Sequence, residues 1–120
     1  MHNEFRVETQ TTGRLITLTV TGELDLVSSP VLERELEKAY GSDADVILID
    51  LRRLAFMDST GLHLLVKAHQ RAEESGRRLA LTRGGEQVQR LIDLTGVADV
   101  VRIVDSPEAL VEADRAPDGP

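Results

Sequence analysis

A nearly continuous apolar run spans residues 46–51, with the sequence VILIDL. Such a run is typical of a central parallel strand that helices cover on both faces. After a short link, residues 58–60 (DST) favour a helix N-terminus, where a side-chain oxygen accepts from free backbone N–H groups. Apolar residues then recur at helical spacing from Leu62 to Ala72. The pattern predicts a strand and a helix, with residues 58–60 exposed beyond the carboxyl end of the strand, where open α/β sheets carry their functional sites.

Two alternating runs, residues 5–9 and 15–20, precede this unit. With Gly13 between them, they predict an antiparallel hairpin at one edge of a sheet. Ser29 and Pro30 then have the N-cap and first-turn signature of a helix.

Strands and helices continue to alternate after the central unit. We expect a strand at residues 78–82, a helix opened by Gly84 and Gly85, a last strand at residues 100–104 and a final helix from residues 105–108. The order is therefore β, β, α, β, α, β, α, β, α. Strands that alternate with single helices form right-handed crossovers, so the predicted class is α/β. The sheet is mixed, largely parallel and five-stranded, with an N-terminal antiparallel hairpin and four helices.

Length and composition define one domain. The chain has 120 residues and a mass of 13.2 kDa, which is enough for one two-layer core. We expect a single domain over residues 1–114. Residues 115–120 are rich in Pro, Gly and charge, and are expected to form a disordered tail.

Charge and residue types exclude several classes of function. The net charge is −7, which repels nucleic acid and anionic lipid, and 2% aromatic residues leave no platform for stacking bases. No apolar run approaches the roughly 20 residues of a membrane span. The absence of Cys removes disulfides and thiol chemistry, and the start does not resemble a signal peptide. We expect a cytoplasmic protein whose partner is another protein, with no nucleic acid and no membrane.

Ser59 is the principal candidate site. The simpler interpretation is that its hydroxyl only caps a helix. The functional interpretation is that it accepts a phosphoryl group, which adds about −1.5 to −2 charge. A helix N-terminus tolerates an anion, so modification would change an interface and leave the fold intact.

Other chemistry is weakly supported. Asp58, Ser59 and His63 supply the residue types of a hydrolase, but neighbouring positions on one helix start cannot form the required relay, and the flanking residues do not match a nucleophile elbow. The three histidines, which are at positions 2, 63 and 69, lack metal-site spacing. Gly84 and Gly85 are expected to form a turn and helix start, since no P-loop Lys follows. Four paired arginines are expected to be solvated loop charges: Arg52, Arg53, Arg77 and Arg78.

Three segments together resemble a known family. They are GELD at residues 22–25, the strand at 46–51 continued by LAFMDSTGL at 54–62, and LIDLTGV at 91–97. Side by side, they resemble a STAS domain and, more narrowly, the bacterial anti-sigma factor antagonists. The likeness covers nearly the whole chain, and the Asp-Ser-Thr-Gly-Leu element between strand and helix is its most specific part.

The resemblance implies partner switching without catalysis and without a cofactor. An unmodified antagonist binds an anti-sigma factor that has a histidine-kinase-like ATPase fold, and this frees the sigma factor. The anti-sigma factor is also a serine kinase, which phosphorylates the antagonist and is then released to recapture sigma. A metal-dependent serine phosphatase reverses the modification. The matching acceptor is Ser59, directly after Asp58, and Asp25 matches a position that supports docking. The chain is expected to act as a monomer or weak dimer.

The expected partner-binding residues are Asp25, Asp58, Ser59, Thr60, Gly61 and His63. His63 departs from the family, because many relatives carry Gly there. A titratable side chain one turn from Ser59 can reshape the docking surface or pair with a phosphate. Thr60 is a second candidate acceptor.

Two alternative functions stay open. One is a STAS scaffold or adaptor subunit that does not switch, in which Ser59 is only a cap. The other is a STAS domain that binds a nucleotide or small ligand at the anion site of the helix start.

Overall fold

The computed structural model describes residues 5–110. Its strands are β1 (Arg6–Thr12), β2 (Leu15–Leu24), β3 (Val46–Asp50), β4 (Leu54–Met57), β5 (Arg78–Thr82) and β6 (Arg102–Val104). Its helices are α1 (Ser29–Tyr40), α2 (Ser59–Glu74), α3 (Glu86–Thr95) and α4, whose described part is residues 107–110, with a 3-10 turn at Val97–Asp99. The predicted limit of the domain at residue 114 and the predicted tail at 115–120 lie outside the described residues.

The strands form one mixed sheet in the order β1-β2-β3-β5-β6, with β4 paired to β2. β1 and β2 form the expected antiparallel hairpin, and the other pairings are parallel. The predicted α/β class with an antiparallel edge is therefore confirmed.

β4 is a strand that the sequence pattern did not predict. The first half of β2 pairs with β3, up to the partners Thr19 and Asp50. Because β2 is ten residues long and β3 only five, the last residues of β2 extend past the end of β3. The chain turns after β3 and pairs again with β2, Glu23 opposite Phe56 and Leu24 opposite Met57. The sheet therefore has six strands instead of five.

The core occupies both faces of the sheet. The larger cluster lies between the sheet and α1, α2 and α3, while a smaller cluster on the other face includes Leu48 and Leu110 of α4. Every residue of β3 is buried, as predicted for a central strand. In α2, Leu62, Leu65 and Ala72 are buried as their spacing predicts. Burial of β3 on both faces fixes the position from which the chain reaches β4 and α2.

Two predicted element boundaries differ from those in the structure. α1 begins at Ser29 with Ser28 as its N-cap residue, so the expected cap at Ser29 is wrong by one position. The last strand starts at Arg102, because a 3-10 turn occupies part of the segment before it and leaves Val100 exposed.

Two of the four paired arginines make specific contacts. Arg52 is an exposed loop charge, as predicted, but it also binds Asp50, whereas Arg77 is half-buried. The Arg52 guanidinium donates to both carboxylate oxygens of Asp50 at 3.0 Å, and the Thr82 hydroxyl lies 3.1 Å from the same carboxylate. Burial acts to raise the pKa of Asp50, but the hydrogen bonds from Arg52 and Thr82 outweigh it and hold the pKa below its ordinary value. Arg77 donates to the backbone carbonyl of Ala44 at 2.8 Å. Both arginines therefore hold the sheet and its loops together.

Candidate functional site

Ser59 is the first residue of α2, and its side chain is exposed. The cap of this helix is Asp58, whose carboxylate accepts from the Gly61 N–H at 3.1 Å. Asp58 has an extended backbone, with φ −102° and ψ −173°, so the chain passes directly from β4 into the helix. Within residues 5–110, no hydrogen bond holds the Ser59 hydroxyl. The interpretation of Ser59 as a cap is therefore wrong, because Asp58 already fills that role.

The end of β2 lies directly beside this helix start. The Asp58 N–H donates to the Leu24 carbonyl at 3.2 Å, which continues the pairing of β4 with β2. The loop after β2 then leads into α1. Since β2 and β4 run parallel and end together, the loop that begins at Asp25 and the start of α2 lie at the same end of the sheet.

Asp25 organises that loop. Its carboxylate accepts from the backbone N–H groups of Val27 and Ser28, each at 3.0 Å. The Ser28 hydroxyl accepts from the Asp25 N–H at 2.9 Å and lies 2.7 Å from the Glu23 carbonyl, to which it donates. These bonds close the loop on itself and fix the direction in which its other side chains point.

Two aliphatic side chains of the same loop point to solvent. Leu26 is 73% exposed and Val27 86% exposed. Phe56 in β4 is a further exposed apolar residue, at 39%. Adjacent large apolar side chains as exposed as Leu26 and Val27 are typical of an interaction site. The sequence offered no signal for this, because the loop residues resemble core residues in type and only the fold exposes them.

α1 and α2 lie side by side and run in the same direction. Glu33 pairs with Lys67 at 3.7 Å and Glu37 with Arg71 at 3.1 Å, so the contacts keep a constant offset of 34 residues. If this offset continues toward the N-termini, His63 lies level with the start of α1. His63 is exposed on α2 one turn after Ser59, as expected, and His69 is half-buried.

Gly61 and Thr60 differ from Ser59 in their exposure. Gly61 is buried, and a Cβ atom there would lie 2.8 Å from the Leu24 Cγ and from the Met57 Cγ. A glycine at this point lets the first turn of α2 approach β2 and β4 closely. Thr60 is half-buried. Of the four residues from Asp58 to Gly61, Ser59 alone is exposed.

A side chain from α3 also reaches the junction between β4 and α2. The amide of Gln87 accepts from the Met57 N–H at 3.0 Å and donates to the Met57 carbonyl at 2.9 Å. No sequence pattern singled out this residue, because a glutamine on a helix usually indicates a solvated surface.

The other candidate residues form turns and helix ends and bring together no ligand site among the described residues. Gly85 is the N-cap residue of α3, and the Gly84 N–H donates to the Gln89 side chain at 2.9 Å, which confirms the interpretation as a turn and helix start. Within residues 5–110, no three side chains of His, Asp or Glu lie together in a way that could hold a metal ion. None of the helices in that range has both the length and the apolar character to cross a bilayer.

The model of the STAS domain family matches residues 6–110 of this chain. The chain belongs to the STAS domain family. It is 34% identical over 97 residues to the anti-sigma-B factor antagonist of Bacillus subtilis (strain 168), an alignment that covers 81% of this chain and 88% of the relative. The anti-sigma-B factor antagonist of Listeria monocytogenes (serovar 1/2a, strain EGD-e) is 32% identical over 88 residues, which are 73% of this chain and 77% of the relative.

Solved structures show the same fold. An anti-sigma factor antagonist from Mycobacterium paratuberculosis superposes with a TM-score of 0.84 at 21% identity, covering 93% of this chain and 95% of the other. The antagonist SpoIIAA in its unphosphorylated form gives 0.78 at 20% identity, with coverage of 97% and 100%. Its phosphorylated form from Bacillus gives 0.71 at 20% identity, with coverage of 93% and 100%. The STAS fold implied by the sequence is therefore confirmed.

Proposed function

We propose that this STAS domain is an anti-sigma factor antagonist that works as a partner switch controlled by phosphorylation of Ser59. In its unmodified form it binds an anti-sigma factor that is also a serine kinase, and so releases the sigma factor. The observation that carries the proposal is the exposed Ser59 hydroxyl at the start of α2, next to a loop with exposed aliphatic side chains. The curated relatives named anti-sigma-B factor antagonist support the same function.

The docking surface of this proposal has an apolar and a polar part. Leu26 and Val27 supply apolar area that a partner can bury, and such area gives most of the affinity of a protein interface. Ser59 and His63 lie at its polar side as exposed groups of α2. Because the loop that carries Leu26 and Val27 and the start of α2 lie at the same end of the sheet, a partner that covers both would also cover a charge added at Ser59.

The predicted partner-binding residues contribute in two ways. Ser59, Thr60 and His63 act directly, through side chains on the first turns of α2. Asp25 and Gly61 act by shaping the surface, Asp25 through the loop that carries Leu26 and Gly61 through the seating of the helix. Asp58 contributes as the cap of α2 and as a negative charge directly before the acceptor.

Phosphorylation at this position separates binding from folding. The phosphate adds about −1.5 to −2 charge, and the free N–H groups of the first helical turn tolerate it locally. A docked partner would have to desolvate that charge close to the Asp58 carboxylate. The modified domain therefore stays folded and loses its partner.

The chain supplies a substrate hydroxyl and performs no chemistry itself. The kinase supplies ATP, Mg²⁺ and the base for phosphoryl transfer. A serine phosphatase restores the unmodified form, and the cycle takes place in the cytoplasm with the chain acting as a monomer or weak dimer. No cofactor is needed on this side of the reaction.

The test uses binding of purified anti-sigma factors encoded in the same genome, measured by titration calorimetry. We expect Ser59→Ala to bind like the unmodified wild type and Ser59→Asp to bind at least about tenfold more weakly. Ser75→Asp is the matched control, because it adds the same charge at the opposite end of α2. Equal affinities for Ser59→Ala and Ser59→Asp would contradict the switch.

A second measurement separates the switch from a scaffold. Incubation with the anti-sigma kinase and ATP should raise the intact mass by one phosphate, and peptide mapping should locate it on Ser59 and not on Thr60. Binding without any change in mass would instead indicate a scaffold or adaptor. A saturable signal with nucleotide or phosphate alone would indicate a ligand-binding domain.

A further inference from the structure

Met57, the last residue of β4, has its two backbone groups bound by one side chain. Its N–H donates to Gln87 Oε1 at 3.0 Å, and its carbonyl accepts from Gln87 Nε2 at 2.9 Å. Gln87 lies in the first turn of α3. Met57 is fully buried while Gln87 itself is exposed, so the Gln87 amide lies between the Met57 backbone groups and solvent.

On the edge of β4 that faces away from β2, the Gln87 amide makes the hydrogen bonds that a neighbouring strand would make. Backbone groups of successive strand residues point to opposite edges of the strand. The Asp58 N–H points toward β2, where it donates to Leu24, so the groups of Met57 point away from β2. Among the described residues, β2 is the only strand that pairs with β4. The other edge of β4 at Met57 is therefore completed by Gln87.

We propose that Gln87 is a positioning residue that presents Ser59 to the kinase. This rests on the proposed function of Ser59 as a phosphoryl acceptor. Met57 precedes Ser59 by two residues, and Asp58 between them is held by β2. The backbone that enters α2 is thus fixed on one edge by β2 and on the other by Gln87. Phosphoryl transfer depends on holding the attacking oxygen in line with the γ-phosphate, so this double support affects the rate of transfer.

The hydrogen bonds, not the volume of the side chain, carry this role. Gln87→Met keeps an unbranched side chain of similar length but has no amide. In that variant the Met57 N–H and carbonyl lose their partners, which favours local opening between β4 and α2. Gln89→Met is the matched control on the same helix, because Gln89 binds the Gly84 N–H and Asp93 and makes no hydrogen bond to β4.

The first experiment needs no partner protein. Amide hydrogen exchange, followed by NMR on the free protein, should show exchange of the Met57 N–H at least about tenfold faster in Gln87→Met than in wild type. In Gln89→Met the Met57 amide should keep its protection while the Gly84 amide loses it. Unchanged exchange of Met57 in Gln87→Met overturns the proposal. If Gln87→Met does not fold, Gln87→Ala gives the same test, because it also removes the acceptor of the Met57 N–H.

The second experiment measures phosphorylation of Ser59 by the anti-sigma serine kinase that modifies the wild type. We expect Gln87→Met to lower kcat by about tenfold and to leave KM within about twofold, since the docking surface is intact and only alignment is lost. Gln89→Met should match wild type in both. An unchanged kcat for Gln87→Met overturns this proposal alone. A wild-type chain that no such kinase modifies overturns the proposed function, and with it the role of Gln87 toward the kinase.

Discussion

Ser29 and Ser59 occupy the same position in two neighbouring parallel helices, and their environments are opposite. Each is the first residue of its helix. Ser29 is 9% exposed, and its Oγ is buried without a hydrogen-bond partner among residues 5–110. Ser59 is exposed. The residue type and the helical position therefore do not decide which hydroxyl a second protein can reach.

The difference comes from how the chain enters each helix. α1 follows the closed loop of Asp25 and Ser28, and its N-cap residue Ser28 has a helical backbone, with φ −87° and ψ −20°. α2 follows β4 directly from the extended Asp58. After the tight loop the side chain of Ser29 points inward, whereas after β4 and Asp58 the side chain of Ser59 points to solvent.

The sharpest test of this comparison adds a negative charge at each serine. We expect Ser29→Asp to lower the free energy of unfolding by on the order of 3 kcal/mol, because it places a carboxylate in a buried site without a partner. Ser59→Asp should change it by less than about 0.5 kcal/mol, because that site is exposed at a helix N-terminus. Urea denaturation of both variants measures the difference, and equal losses would contradict it.

The third residue of each helix gives the next largest effect. It is Gly61 in α2, where a Cβ would lie 2.8 Å from Leu24 and Met57, and Val31 in α1, which is 38% exposed. We expect Gly61→Ala to cost about 1–3 kcal/mol through overpacking. Val31→Ala, the control, should cost about 0.5 kcal/mol or less. Thermal unfolding followed by circular dichroism compares them. A Gly61→Ala variant as stable as wild type would show that the first turn of α2 can move away from β2 and β4 without loss of stability.

Removing the aspartates that precede the two helices should lower the free energy of unfolding by smaller amounts. Asp58→Ala removes one bond to the Gly61 N–H and should cost about 1 kcal/mol. Asp25→Ala removes the acceptor of two backbone N–H groups and should cost about 1–2 kcal/mol. Asp58→Asn keeps an acceptor and serves as the control. Chemical denaturation gives these values, and a larger cost at Asp58 than at Asp25 would reverse the expected order.

The smallest effects come from removing each hydroxyl. Ser29→Ala deletes a buried polar atom that has no partner among the described residues, so it should be neutral or stabilise by up to about 1 kcal/mol. Ser59→Ala should change the free energy of unfolding by less than about 0.5 kcal/mol. Differential scanning calorimetry can show whether each variant is more or less stable than wild type. A clear loss of stability in Ser29→Ala would mean that this hydroxyl finds a partner in solution.

Much of the fold follows from local patterns. The apolar run at residues 46–51 predicted the buried strand β3, and the spacing from Leu62 to Ala72 predicted the inner face of α2. The pattern missed β4, because a four-residue strand with two exposed members does not stand out from a loop. That omission matters, since β4 joins the end of β2 to the start of α2.

The sequence by itself determined the order of the elements, the buried strand β3 and the position of Ser59 at a helix start, because hydrophobic period and capping preference act over a few residues. Only the tertiary structure decided that Asp58 caps the helix, that Leu26 and Val27 are exposed beside it, and that Gln87 binds Met57. Those features join residues that are distant along the chain. They arise because β2 extends past β3 and pairs with β4, and no local pattern specifies that pairing.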